Sequence, residues 1–485
     1  MPHRVLLLIA FVVSLTLLAV AAADGEPEQS ADNAPDDALT DVMQFGAIGD
    51  GRADDTAAIQ RAVDARTGDV RFRRGVYRIT RPIVIDLDRV GFTSILGDGT
   101  ATILMDGPGP ALKFIGTHEG TASPRTVEAN VWERQRSPIV RGIEIVGSHE
   151  DADGIEASGT MQLIISEVTI RRVRHGIHLV NRNRNVIVSD CHIYDNRGIG
   201  VYYDAVNLHQ SNIIGCHVSY NRGGGIVVRG GDVRKVHIGT CDIEGNMSPE
   251  GGPTANVLLD STSGSIAEIA ITGCTIQHAH EAPGSANIRI NGRSTPREFT
   301  EELRHGNVTI SGNVLSDVRI NIDVQNARGV TIVGNTLWKG YDHDVRISGS
   351  EGVVVSGNVL DRNPRYHYGD GADARGGIVF SECDGCTISG NHLSGTGDAP
   401  AAIALQRCRR MNVTGCTVLD AAHVGLLLDD VSDSRVSGCL VRSDRPGGND
   451  RLSLLVNGGG DNQISDNVWA DGAKFDDAAD HSPTK

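Results

Sequence analysis

The apolar residues of this chain fall in short runs that alternate with polar ones, as in Val70-Arg71-Phe72, Ile83-Val84-Ile85-Asp86 and Val186-Ile187-Val188-Ser189. A period of two over so few residues predicts strands, each with one side turned inward. The strands are organised by a repeat. Residues 186–201 carry Cys191-His192-Ile193 and then Asn196-Arg197-Gly198, and 25 residues later the chain reads Cys216-His217-Val218 and Asn221-Arg222-Gly223. The Cys or Asn after each turn recurs as Cys241, Cys274, Asn313, Asn335, Asn358, Asn391, Cys416, Cys439 and Asn467, at spacings of 22 to 39 residues.

A unit of two or three short strands cannot bury its own apolar side, so successive units must stack. The predicted architecture is all-β, a parallel β-helix of about a dozen coils rising ~4.8 Å each. The recurring Asn or Cys then forms a ladder at one corner, where a side-chain amide satisfies backbone groups that the turn leaves unpaired. One helix is predicted near the start. Gly46, Gly49 and Gly51 turn the chain, Asp54 or Asp55 caps, and Ala58, Ile59, Ala62 and Val63 form a single apolar stripe suited to closing the open end of the solenoid.

The segment Phe45-Gly46-Ala47-Ile48-Gly49-Asp50-Gly51-Arg52-Ala53-Asp54-Asp55-Thr56-Ala57-Ala58-Ile59-Gln60, with Gly75-Val76-Tyr77 after it, resembles the opening of the pectate-lyase-like right-handed β-helix superfamily. With the repeats, the resemblance covers about residues 41–469. It implies the right-handed fold and a group that includes polysaccharide lyases, hydrolases, mannuronan C5-epimerases and phage tailspikes. The motif is a cap and carries no chemistry, so activity must be read from a site.

The ends have a different composition. Residues 1–23 join a basic start, an apolar run from Val5 to Val20 and small Ala21–Ala23, which reads as a secretory signal. A secreted or periplasmic location is expected, without stable membrane insertion after cleavage. Residues 24–40 read as a disordered acidic linker, 41–469 as one domain and 470–485 as an unpacked polar tail. The net charge is −16, yet residues 41–250 hold 24 Lys and Arg against 26 Asp and Glu, so an anionic ligand meets least repulsion in the first half. A secreted acidic protein is a poor nucleic-acid binder, and the expected partner is an acidic polysaccharide. Aromatics make up only 4% of residues, which leaves few stacking platforms for neutral sugars.

Of nine cysteines, six share the ladder position with Asn and are expected as buried, inert thiols. Cys383 and Cys408 align on neighbouring coils, and a disulfide between them is the exception to examine. Loops are expected at 246–255, 278–285 and 364–376, the last carrying Tyr366-His367-Tyr368-Gly369-Asp370. Residues 294–304 read as a helical insert, with Thr295 as cap, Pro296 next and Glu298 closing a capping box. His278, His280 and Glu281 lack further ligands, so no metal site is assigned, and calcium is left open as a cofactor.

Candidate chemistry lies on the strand after each glycine turn. The inward residues there are Ile155, Ile177, Val201, Ile226, Val257, Ile288, Ile322 and Val345, so alternation turns their neighbours outward. The outward face is rich in ionisable groups from Glu156 to Arg229 and plain in the coils around and beyond Ser381, at Val379, Ala404, Leu427 and Leu455. Glu156, His178 and Tyr202 should stack on three successive coils, with Asp204 one step along and Arg229 next to it. His178, Tyr202, Asp204 and Glu156 are the expected catalytic residues, with His178 or Tyr202 as base and Asp204 orienting it. Arg229, Asp260, Arg289 and Asp323 are the expected substrate-binding residues, Arg229 gripping a uronate carboxylate. Arg171, Arg172, Arg174, His175, Arg182 and Arg184 add a basic strip on the adjoining turns. By the resemblance, Asp204 falls where mannuronan epimerases keep an acidic catalytic residue, although their Asp-Pro-His-Glu is replaced by His178-Leu179-Val180-Asn181. The Asp429-Asp430 pair stands without the Gly-His-Gly of polygalacturonases. The expected activity is lyase- or epimerase-type proton abstraction on a uronic-acid glycan. The alternatives are an inverting hydrolase using Glu156 and Asp204, and a non-catalytic glycan-binding or surface-structural β-helix.

Overall fold

The structure, a computed structural model, describes residues 40–366, 371–446, 450–476 and 480–483. The expected signal, the expected linker up to residue 39, and residues 367–370 of the Tyr366 loop lie outside them. The alternating runs form strands that join a single sheet of 41 strands among the described residues. Pairing between coils is parallel and residue for residue, as in Ile177 with Val201, Val188 with Ile213 and Ile193 with Val218. This is a right-handed parallel β-helix.

Each coil has three faces. In the coil of Cys191 they are residues 177–180, residues 186–189 and His192–Tyr194. The bends between and beside them fall on Asn181, Asn185, Asp190 and Asp195, all left-handed at φ 54–55°. Short polar side chains tolerate that conformation, and on later coils glycine takes the Asp190 place, as at Gly215, Gly273 and Gly312. The Gly that precedes most of the ladder Cys and Asn residues is therefore a corner requirement.

Every inward residue predicted above is buried in one continuous apolar core. The corner ladder is present: Asn335 Oδ1 accepts from the backbone N–H of Asn313, and the next rungs repeat this through Asn358 and Asn391. All nine cysteines are buried and free, so Cys383 and Cys408 are unbridged. A second ladder was not foreseen. Asn196, Asn221, Asn246, Asn256, Asn287 and Asn321 each donate Nδ2 to the next oxygen at 2.7–2.9 Å, ending on the buried carboxylate of Asp344. Its spacing drops to 10 residues between Asn246 and Asn256, because both belong to one coil interrupted by a loop.

The capping helix is Thr56–Asp64, and Ala58, Ile59, Ala62 and Val63 are buried as its stripe requires. Asp54 Oδ1 receives the N–H of Thr56, whereas Asp55 instead pins the glycine turn by accepting from Ile48 and Gly49. Two expectations fail. Residues 294–304 form an irregular loop closed by antiparallel bridges, Arg293 to Arg304 and Arg297 to Thr300, and not a helix. A helix there would have no apolar stripe to bury, and Phe299 is 88% exposed. The tail is also not wholly unpacked: Ala473–Phe475 and Asp480–Pro483 pair with the last long strand, whose open edge offers unmatched backbone groups.

Candidate functional site

The first face brings Glu156, His178 and Tyr202 into register on adjacent coils, with Val180, Asp204, Arg229 and Asp260 in the neighbouring row. His178 and Tyr202 stack ring on ring, centroids 5.2 Å apart and nearly coplanar in orientation. His178 Nε2 lies 3.0 Å from Asp204 Oδ2. Because an ionised carboxylate only accepts, Nε2 is the donor in that bond. Its other nitrogen, Nδ1, is buried without a partner. In this arrangement His178 holds Asp204 through Nε2, while its other nitrogen is enclosed.

Tyr202 is half-buried between the Asp204 carboxylate and the Arg229 guanidinium. Burial raises the pKa of its phenol above the ordinary value, and the hydrogen bond and charge of Asp204 raise it further while Arg229 opposes. The hydroxyl is thus a proton donor at neutral pH. Asp204 and Arg229 are the more open members of the group, with 40% of the Asp204 side chain exposed.

His175 completes a three-ring cluster, 5.3 Å from both His178 and Tyr202. Its Nδ1 accepts from the Ile199 N–H at 3.1 Å, and burial pushes its pKa down to about 4, so the ring is neutral. The buried Asp153 positions it by accepting from the His175 N–H and pairing with Arg174 at 2.6 Å. A Cβ on Gly198 would come within 2.9 Å of the His175 ring, so only glycine lets the chain pass there.

Glu156 is committed to Lys113, 2.9 Å away on the preceding coil. Three of the expected substrate-binding residues already have partners within the chain. Asp323 is fully buried and accepts from Arg289, Arg346 and Gln325. Arg289 also donates to the carbonyls of Thr254 and Gly284, fastening both long loops to the sheet. Asp260 accepts from the N–H and hydroxyl of its own neighbour Thr262. Between them and the site, Val227 and Leu258 sit in a small apolar cluster with Ile199 and Tyr202. The facing polar group therefore runs from Glu156 to Arg229.

Three family models match in succession: a pectate-lyase-like rhamnogalacturonase A/epimerase family over residues 39–110, a right-handed β-helix region over 131–276, and the periplasmic copper-binding protein NosD over 261–474. Together these matches support a parallel β-helix superfamily of the pectate-lyase-like kind. No curated protein matches it. Among solved β-helices, the pre-mature gene product 12 of bacteriophage phi29 aligns over 88% of this chain and 55% of its own, at 12% identity and TM-score 0.53. A mannuronan C-5 epimerase A-module from Azotobacter vinelandii aligns over 92% and 97%, at 15% identity and TM-score 0.39. The catalytic unit of a GH87 α-1,3-glucanase from Streptomyces thermodiastaticus aligns over 96% and 70%, at 14% identity and TM-score 0.46. At such identities the likeness is one of fold.

Within this β-helix, two members of the site were not predicted from sequence. The sequence places His175 only in the basic strip and gives no period that brings Lys113 to Glu156. The signal for Lys113 was the alternation of Leu112-Lys113-Phe114, obscured by the long insertion that separates it from Glu156. Among the described residues no group of three or more His, Cys, Asp or Glu is arranged for a metal. His280 stacks on Tyr341 while His278 faces Glu244, so the expected loop histidines do not converge. No described helix is long and apolar enough to cross a membrane.

Proposed function

We propose that this β-helix acts outside the cytoplasm on a uronic-acid-containing polysaccharide, by proton abstraction next to the uronate carboxylate. The observation that carries the reading is the group Tyr202, Asp204 and Arg229, with Asp204 fixed by His178. Arg229 grips the carboxylate and so acidifies the proton on the adjacent carbon. Asp204, held through the His178 Nε2–H bond, takes that proton. Tyr202, kept protonated by burial and by Asp204, returns one. Delivered to the glycosidic oxygen as the C4–O bond breaks and the C4=C5 double bond forms, this is a lyase step. Delivered to the opposite face of C5, it is an epimerisation. The family matched over 39–110 is described in rhamnogalacturonase, epimerase and pectate-lyase terms, and that matched over 261–474 as periplasmic, which supports both substrate class and location. The hydrolase alternative is weakened because Glu156, one of its two expected carboxyl groups, is ion-paired with Lys113.

The test is incubation with a panel of polyuronates, followed by ultraviolet absorbance for unsaturated ends and by proton NMR for inverted C5 centres. Turnover that falls at least ~100-fold in both Asp204→Asn and Arg229→Ala supports the reading. Turnover that survives both variants places the chemistry elsewhere, and tight binding without turnover favours a glycan-binding protein.

A further inference from the structure

The basic strip beside the site divides in two. Arg171, Arg172 and Arg174 pair with Glu144, Asp195 and Asp153. Arg182 and Arg184 lie past the bend at Asn181 and have no carboxylate partner among the described residues. Arg184 is only 5% exposed. Arg182 donates through Nη1 to Asn207, and Arg184 through Nη1 to the Thr121 carbonyl at 2.9 Å. Nε and Nη2 of Arg182 and Nε of Arg184 are buried with no acceptor.

A roof covers them. The insertion at 116–137 packs Val127, Val131 and Trp132 on Met161, the register neighbour of Arg184. It carries His118, whose backbone N–H bonds to the Gly159 carbonyl at 2.9 Å. The His118 ring is 1% exposed and neither of its nitrogens has a partner. Burial, then the charges of Arg182 and Arg184, push its pKa down to about 4, which leaves it neutral at pH 7 with one N–H to donate. His209, in register with Arg184, is shifted in the same direction by burial and by nearby cations.

Dehydrated guanidinium groups without a counter-charge are strongly unfavourable, and unmatched N–H donors gathered at one place are unfavourable for the same reason. An anion from outside the chain removes both penalties, and the planar fork of arginine suits an oxyanion. We infer that Arg182, Arg184 and His118 form an oxyanion-binding site, of the carboxylate or sulfate class, one bend away from the Tyr202 site. The inference does not depend on whether the Tyr202 site is catalytic.

The test is calorimetric titration of the intact protein with sodium sulfate, a sulfated oligosaccharide and an oligouronate of matched length, at an ionic strength fixed with chloride. Saturable binding of at least one of them is expected, weakened about tenfold or more in Arg182→Gln and in His118→Gln. Arg407→Gln, at an exposed arginine on a distant coil, should bind as wild type does. Arg184→Gln is avoided as the sole variant because Arg184 also holds the insertion through Thr121. Binding of sulfate alone identifies a free-ion site, and binding of one oligosaccharide identifies a glycan contact; either outcome supports the inference. No binding above chloride, or binding undiminished in both Arg182→Gln and His118→Gln, overturns it.

Discussion

The corner ladder predicts that Asn335→Leu is far more damaging than Asn335→Cys. Asn335 Oδ1 accepts from both the backbone N–H and the side-chain amide of Asn313, at 3.0 Å each. Its Nδ2 donates to the Ile310 carbonyl at 3.1 Å and to Asn358 Oδ1 at 2.9 Å. Leucine removes all four bonds. Asn358 Oδ1 keeps the Asn335 N–H, and the Asn313 amide keeps the Ile271 carbonyl, so both are only partly deprived. The Asn313 backbone N–H is left wholly unpaired in the core. One orphaned buried donor costs about 1–3 kcal/mol, and with the lost bond to Ile310 the total is about 2–4 kcal/mol. Cysteine can keep the pattern. Thiols in these coils do accept backbone N–H groups, as Cys386 does from Val353 at 3.4 Å, and the Cys241 thiol approaches the Ile213 carbonyl at 3.6 Å. Asn335→Cys should therefore cost about 1 kcal/mol or less. Solenoids open locally, so the appropriate assay is amide hydrogen exchange across the coils of Asn313, Asn335 and Asn358. Exchange should accelerate about 30- to 1,000-fold for Leu and fivefold or less for Cys. Equal exchange in wild type and Asn335→Leu would refute the ladder, and equal damage from Cys and Leu would refute the equivalence of amide and thiol.

Three further outcomes are expected. Burial raises the Asp344 pKa from 3.8 to about 6, so the native state holds that proton more tightly than the unfolded chain; the resulting stability is present below 3.8 and lost as pH rises through about 6, by up to roughly 3 kcal/mol. Asp344→Asn should flatten that part of a melting-temperature profile while weakening the bond that Gly377 N–H makes to Oδ2, and an unchanged pH slope would count against the assignment. Protein denatured without reductant should titrate nine thiols, and a disulfide-linked peptide containing Cys383 and Cys408 would contradict the free state. Asp429→Asn should leave turnover within about twofold of wild type, because it lies on distant coils between Gln406 and Asn457, far from any member of the site.

The fold was readable because a solenoid repeats its constraints. The period-two runs, the left-handed corner and the Asn or Cys beyond it recur on coil after coil, and each repetition confirms the others. The register that follows placed Glu156, His178, Tyr202, Asp204 and Arg229 correctly without a structure. What alternation cannot show is whether an outward side chain already has a partner. Asp323 alternates outward from Ile322, yet Arg289 and Arg346 on the adjoining coils neutralise and bury it. Lys113 was missed for the opposite reason, since the insertion at 116–137 stretches the interval to Glu156 beyond the usual period. The role of His178 depended on which of its nitrogens is enclosed, a property of packing that no spacing encodes.

Stacking equivalent positions about 5 Å apart makes every outward charge a neighbour of the charges above and below it. Such a face can neutralise itself, and much of this one does: Lys113 with Glu156, Arg174 with Asp153, Arg289 and Arg346 with Asp323. These pairs maintain register and attach loops, and they have little left to offer a ligand. Chemistry is then expected where neutralisation is incomplete. At Tyr202 the carboxylate of Asp204 is fixed by His178 from behind, while its open side and Arg229 remain available to solvent. At Arg184 the imbalance is purely cationic and is closed under an insertion. The two places differ in the way their proposed roles require: one presents an acceptor, a donor and a cation together, suited to moving a proton, and the other presents only donors, suited to holding an anion still. If the ion pairs alone set the electrostatics of this face, Lys113→Met should disturb Glu156 and leave anion binding at Arg182 untouched. A loss of that binding in Lys113→Met would mean that the two places are coupled across the bend at Asn181.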